Sequence, residues 1–330
     1  MNNFKTILLV SLFFLSGCWP GNRDYNFEYE IIISDFPENL ENLNTVYNDY
    51  NSDLPYPAAR STIFFSSDRS SAGANFDIIC ESIDMSYHEK DNILNFSIPS
   101  NNVLSTYESR LIELVNLQSN EYGPYTFHGD KGRDYFFYAN DDAGNYDIKF
   151  IHTPRLDWGT YDGQERLFGP EDVVIINSDH DDLYPVINSD YSRLFFCSNR
   201  ENAHFDIYGI DLNNEVALYE YLTGTGFVQV TKESILSSSS NDKCPSIRGD
   251  LLVFASDREG GYGGYDLYYS LLQDNQWSIP VNFGNKINTA ANEYRPITFS
   301  FLDFNLMIFS SDRSEGKGGY DLYCVKIDDI

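Results

Sequence analysis

Five acids and four arginines recur at matching places along this 330-residue chain, so the chemistry the sequence repeats is carboxylate against guanidinium. The acids are Asp49, Glu121, Asp182, Asp242 and Glu293; the arginines are Arg69, Arg200, Arg258 and Arg313. Repetition at fixed positions points first to structure, with charge-assisted pairs tying loops together. One unit breaks the rule. Asn140-Asp141-Asp142 replaces the Asp-Arg pair there, with Asp141 in the arginine's position, and this leaves Glu121 and Asp182 short of a cation. Crowded carboxylates without compensation become solvated, protonated or occupied by a cation or basic ligand. Glu121, Asp141, Asp142 and Asp182 therefore form the candidate ligand site, and a divalent cation is the one cofactor such an acidic face would take.

Other reactive signatures are missing. The chain has no GxSxG elbow, no HExxH, no phosphate-cradling glycine loop and no CxxC knuckle. His88, His128, His152, His180 and His204 are scattered. Asp179-His180-Asp181-Asp182 has metal-binding residue types but reads more simply as a loop. Gly260 to Gly264 is a hairpin turn with no helix N-terminus to hold phosphate. No catalytic residue is assigned.

These residues sit on a strand, a polar turn and a second strand, written five times: FFSSDRSSAGANFDII (64–79), FFYANDDAGNYDIK (136–149), FFCSNRENAHFDIY (195–208), VFASDREGGYGGYDLY (253–268) and IFSSDRSEGKGGYDLY (308–323). Aromatic and β-branched pairs suit buried strands, and the Ser/Asp/Asn/Gly clusters suit turns. Each return strand opens with an aromatic-Asp pair at Asp77, Asp147, Asp206, Asp266 or Asp321, whose carboxylate is expected to accept loop N–H groups. A proline (Pro57, Pro124, Pro185, Pro245, Pro296) precedes each copy and marks a loop running into a further strand.

The steps between the repeated Asp residues are 70, 59, 60 and 55, a period of about four short strands, which is that of a propeller. The long first step predicts an insertion around Leu94 to Glu113. The last unit lacks its fourth strand, and Phe27 to Ile33 is a strand with no unit of its own. The sequence thus predicts an all-β, five-bladed propeller, with six blades as the alternative, in which an N-terminal strand at 27–33 completes the C-terminal blade and removes free sheet edges.

Residues 1–17 form a secretory leader: Lys5, the apolar run Ile7 to Leu15, then small residues. The run is too short to span a bilayer. Leu15-Ser16-Gly17-Cys18 resembles the lipobox of bacterial lipoproteins, which implies cleavage before Cys18, lipidation of that thiol, a linker over 18–24 and a single propeller domain over 25–330. Trp19 in place of Asp after the cysteine favours, by analogy, the outer membrane, with the leaflet left open.

An acid before Pro, then FxSDR, then GGYDLY, together with WSIPVNFGNKINTAANEYRP (277–296), resembles the WD40-like repeat of bacterial envelope propellers of the Tol-system type. The resemblance implies a binding scaffold. On that basis the leading expectation is a lipid-anchored, monomeric propeller that binds an envelope protein or peptide. A carbohydrate-active enzyme is the first alternative, because five-bladed propellers also host glycosidases with carboxylates in the central funnel. A passive structural lipoprotein is the second. Carboxylates converging in the funnel would favour the enzyme, and acids all paired with Arg would disfavour it.

Composition agrees with an exported β protein: 25 Tyr and 24 Phe against 3 Met. A net charge of −28 argues against nucleic acid, whose phosphates it would repel. Cys80, Cys197, Cys244 and Cys324 are expected as buried free thiols, with Cys197–Cys244 the least implausible bridge.

Overall fold

The computed structural model describes residues 30–99, 104–129, 132–154, 166–213 and 215–327, and they form a five-bladed β-propeller. Leader, Cys18 and linker lie outside the described residues. Among the described residues no helix is long and apolar enough to cross a membrane.

Every blade is an antiparallel sheet built outwards from the axis. The inner strands, Asp49–Asp53, Glu121–His128, Asp182–Ile187, Asp242–Arg248 and Glu293–Phe301, touch one another around the centre. Second strands are Arg60–Ser67, Asp134–Asn140, Arg193–Ser198, Leu251–Ser256 and Phe304–Ser311. Third strands are Asp77–His88, Asp147–His152, Asp206–Asp211, Asp266–Gln273 and Asp321–Lys326, each opening on the repeated Asp. The outer strands are shorter: Ile93–Ser97, Phe168–Asp172, Thr231–Lys232, Val281–Asn282 and Glu38–Asn39.

Ring closure uses an N-terminal strand, but not the expected one. Glu38–Asn39 closes blade five, opposite Cys324 and Tyr323. The described part of the 27–33 segment, Glu30–Ile33, instead adds a fifth, outermost strand to blade one, with Ile31 opposite Phe96. The reason lies in side-chain hydrogen bonding. Asn39 donates to Asp321 at 2.9 Å and Asn44 to the Leu322 carbonyl at 2.9 Å, so polar groups hold a closing strand too short to show a hydrophobic pattern. Ile33 meanwhile buries against Leu94 and Phe96 in the blade-one core.

The long first step holds the outer strand of blade one and a helix, Thr106–Val115. Ser105 and Glu108 form a capping box at its start, satisfying two orphan N–H groups. Leu111 and Val115 wedge between blades one and two beside Phe64, Ile78 and Phe136. Similar apolar layers separate the other blades. Phe195 and Val186 of blade three, for example, meet Phe254 and Leu252 of blade four.

Pro124, Pro185, Pro245 and Pro296 lie in inner strands, three residues after the acid. Pro57 does not share their place. It follows the inner strand of blade one, where Ser52 holds the equivalent position. All four described cysteines are buried and free, and the Cys244 amide donates to Cys197 Sγ at 3.0 Å.

Candidate functional site

Four blades build the same clasp. Arg69, Arg200, Arg258 and Arg313 reach Asp49, Asp182, Asp242 and Glu293 at 2.6, 2.6, 2.5 and 3.0 Å. Each guanidinium also donates to a loop carbonyl, that of Leu43, Ile176, Leu236 or Ile287. Each lies over a strand-two ring: Phe65, Phe196, Phe254 or Phe309. The acids are buried completely. A buried carboxylate held by an ion pair and several donors is a structural fastening and is not free to act as acid or base.

The repeated Asp caps its hairpin in blades four and five. Asp266 accepts from the Tyr262 and Gly263 amides, and Asp321 from those of Lys317 and Gly318. In blade three Asp206 is instead paired with Lys232 at 2.6 Å, and in blade two Asp147 accepts from Asn145 at 3.1 Å.

Blade two departs from the clasp, one residue away from where the sequence placed the departure. Asp141 does not occupy the arginine's position. It accepts from Asn120 through backbone and side chain at 2.9 and 2.8 Å, as Asp68 does from Asn48, Asp257 from Asn241 and Asp312 from Asn292. Asp142 stands where the other blades carry Arg. Asp182 is not short of a cation, because Arg200 holds it. The unusual group is thus Glu121 with Asp142. Burial pushes the Glu121 carboxyl up to about 8, against the pull of the Ser119 hydroxyl at 2.5 Å, with the charges of Asp77 and Asp142 raising it further. Around it Glu121 Oε2, Asn140 Oδ1 and the Tyr138 hydroxyl are buried without a hydrogen-bond partner. The Asp179 to Asp182 run is loop structure, with Asp181 accepting from the Tyr146 amide. Among the described residues no group of three His, Cys, Asp or Glu is placed to hold a metal.

What sequence reasoning missed is a collar of rings. The residue after each inner-strand acid is Tyr50, Tyr122, Leu183, Lys243 or Tyr294, and the residue before each repeated Asp is Phe76, Tyr146, Phe205, Tyr265 or Tyr320. The fold interleaves the two sets at one mouth of the axis. Tyr320, Tyr50, Phe76, Tyr122 and Tyr146 follow one another with centroids 5.4, 5.1, 5.0 and 5.2 Å apart. Tyr265, Tyr294 and Tyr320 continue the round at 5.0 and 6.2 Å, and Lys243 Nζ lies 3.8 Å from the Phe205 ring centre. Paired hydrogen bonds between blades, one to a side-chain oxygen and one between backbones, fix these rings. The amide of each aromatic donates to the residue before the next blade's acid, and its carbonyl accepts from the acid's own amide, as in Tyr265 with Asn292 and Glu293 at 2.9 and 2.7 Å. Most of the rings are only half buried, and burial holds the Tyr146 and Tyr320 hydroxyls above the ordinary tyrosine range, so they remain donors. The aromatic-Asp pairs carried the signal; only the fold shows that they converge.

One residue deeper, each inner strand turns left-handed. Asn51, Gly123, Tyr184, Cys244 and Arg295 have φ of 58, 60, 56, 58 and 48°, and each marks a register shift against strand two. At Gly123 the turn is needed for space as well, because a Cβ there would meet the Tyr184 ring at 2.4 Å. These five residues fill the axis. Arg295 lies over the Tyr184 ring, donates to the Pro124 carbonyl at 3.0 Å and is buried completely. Beyond this plug, a cavity of about 170 Å³ is lined from all five blades by Asp53, Thr126, Val186, Ser246, Arg295 and others. Burial pushes Asp53 up to about 7, with Arg295 and the Thr126 amide pulling it down.

No family model and no curated protein matches this chain. Among solved structures it is similar to a GH43_1 enzyme from Xanthomonas citri (10% identity, TM-score 0.52, covering 90% of this chain and 92% of that one). It is also similar to an endo-arabinase from Bacteroides thetaiotaomicron (12%, 0.50, 88% and 97%) and to an α-L-arabinofuranosidase from Podospora anserina (12%, 0.50, 89% and 94%). At such identities the likeness shows the fold alone. It overturns the expected kinship with Tol-type envelope lipoproteins, since the neighbours are glycoside-hydrolase propellers. The protein- or peptide-binding scaffold inferred from that kinship falls with it.

Proposed function

We propose that this is a carbohydrate-active propeller that takes a glycan on the aromatic collar at one mouth of its axis. The collar is the observation that carries the reading. Partly exposed rings offer apolar surface to the C–H faces of sugars, while their hydroxyls and the Lys243 ammonium offer donors to sugar oxygens. The neighbours' arabinan-degrading names suggest arabino-oligosaccharides as the first probes.

Binding is favoured over hydrolysis by the state of the carboxyls. Glycoside hydrolysis commonly needs a protonated acid and an ionised base or nucleophile facing one bond. Four inner-strand acids are fastened to arginine. Burial raises Asp147 as well as Glu121 and Asp53, and the last two, pushed up to about 8 and about 7, lie on opposite sides of the plug and do not face one bond together.

Calorimetric titration with arabino-, xylo- and cello-oligosaccharides tests the reading, with reducing-sugar release measured in parallel. Saturable binding to one class is expected, lost in Tyr146→Ala and weakened in Tyr122→Ala at unchanged melting temperature. Binding that ignores both variants, or no binding across the panel, overturns it. Sugar release abolished by Asp53→Asn would place the chemistry in the cavity instead.

A further inference from the structure

We propose that blade two carries a binding site for a hard divalent cation of the calcium class, formed by Glu121, Asn140 and Asp142 with the Tyr138 hydroxyl behind them. The other blades show what this place is built to hold. In each of them a cation sits between the inner-strand acid, the hydroxyl of a serine closing strand two and a phenylalanine ring; in blade four these are Asp242, Ser256 and Phe254 around Arg258. Blade two keeps the acid, as Glu121, and changes the serine, the ring and the arginine in the same direction. Asn140 replaces the serine and adds an amide oxygen, Tyr138 replaces the phenylalanine and adds a hydroxyl, and Asp142 replaces the arginine and turns a fixed positive charge into a negative one.

The result is a set of oxygens short of positive charge. Glu121 Oε2, Asn140 Oδ1 and the Tyr138 hydroxyl have no partner, and their residues are 0, 1 and 0% exposed. Orphan buried oxygens are costly and call for an explanation, which a bound ion would supply. Hydrogen bonds hold the group together: Asn140 Nδ2 donates to Asp142 at 2.8 Å and to Ser119 Oγ at 3.4 Å, and Ser119 donates to the other Glu121 oxygen. Lys149 lies 3.8 Å from Asp142 but is drawn to Asp172 at 2.9 Å. An all-oxygen donor set of carboxylates and an amide carbonyl suits calcium, which tolerates irregular geometry, better than magnesium or a softer metal. Asp142 is 44% exposed and gives the ion a way in from solvent. This site does not depend on the glycan reading.

Tyrosine-sensitised terbium luminescence, displaced by calcium, reads the site in the full chain, since Tyr138 and Tyr122 are adjacent donors. The expected result is one saturable site, and a calcium-dependent rise in melting temperature over chelator-treated protein. Asp142→Arg should abolish both responses while keeping or raising the chelator-treated melting temperature, because it restores the clasp to Glu121. Glu121→Gln should also lose the terbium signal. Asp303→Arg, on an exposed turn, makes the same charge change and should keep both responses. The idea is overturned if wild type shows no saturable signal, or if Asp142→Arg responds as wild type does. It is equally overturned if Asp303→Arg weakens the response as much, which would mean diffuse attraction to a chain of net charge −28.

Discussion

Blades five and two place the same side chain, a glutamate, at the same point of the inner strand and treat it in opposite ways. Glu293 is held by Arg313 at 3.0 Å, by Ser311 at 3.1 Å and by Thr289 through amide and hydroxyl. Glu121 has the Ser119 hydroxyl on one oxygen and no partner on the other. The backbone around them is alike, since both strands shift register two residues later. The fold therefore does not need the arginine in every blade, and the environment, more than the residue type, decides whether a buried acid fastens the structure or stays available.

The sharpest break of this comparison is Arg313→Ala. Stranding Glu293 without its cation should cost about 3–5 kcal/mol in denaturant unfolding with chelator present, whereas Asp142→Ala, at the same position in blade two, should stay within about 0.5 kcal/mol under those conditions. Equal losses would show that the fastening is not what distinguishes the blades.

Proton linkage sharpens the same contrast. Glu121 is raised when folded, so its contribution is fully present below its unfolded pKa of about 4.5 and is lost as pH rises through about 8. Asp53, raised to about 7, acts in the same direction between about 4 and 7. Wild type in chelator should lose stability across this window. Glu121→Gln should flatten the upper part of the slope and Asp53→Asn the lower. A slope unchanged in Glu121→Gln and Asp53→Asn would mean that neither acid is protonated in the fold.

The hairpin loops differ as well. A Cβ on Gly263 in blade four, or on Gly318 in blade five, would land 2.1 or 2.0 Å from a backbone oxygen of the next blade's loop, whereas Gly144 in blade two has open space. Gly263→Ala should therefore cost about 1–3 kcal/mol by overpacking. Gly144→Ala, at φ +98°, should cost only backbone strain, on the order of 1 kcal/mol. Asp141→Ala checks the structural role of that side chain. Losing its two bonds from Asn120 should cost about 1–2 kcal/mol, the same as is expected of Asp312→Ala in blade five, and a free ligand-binding Asp141 would show no such cost.

The propeller and its blade number were legible because the strand-turn-strand repeat encodes them five times over. The closing strand was not, because two polar residues held by asparagine side chains carry no periodicity, while the apolar Ile31 to Ile33 drew attention to a strand that blade one uses instead. The clasps were legible in four units. In blade two, adjacent aspartates hid the register, and only the Asn120 bonds show that Asp141 is the structural one. Left-handed turns at Tyr184, Cys244 and Arg295 gave no sign at all, since these residue types do not advertise a positive φ, and a lone asparagine at Asn51 did not reveal the pattern. The collar was visible as five aromatics in the sequence and invisible as a surface.

The layer of Asn51, Gly123, Tyr184, Cys244 and Arg295 has one further consequence. All five are buried, so water reaching the collar does not reach the cavity around Asp53 along the axis. Among the described residues the disc is a partition between two antechambers, closed on the axis by these five buried residues. What the two faces share is the packing of Tyr184 and Arg295 and the charge that Arg295 carries beside Asp53.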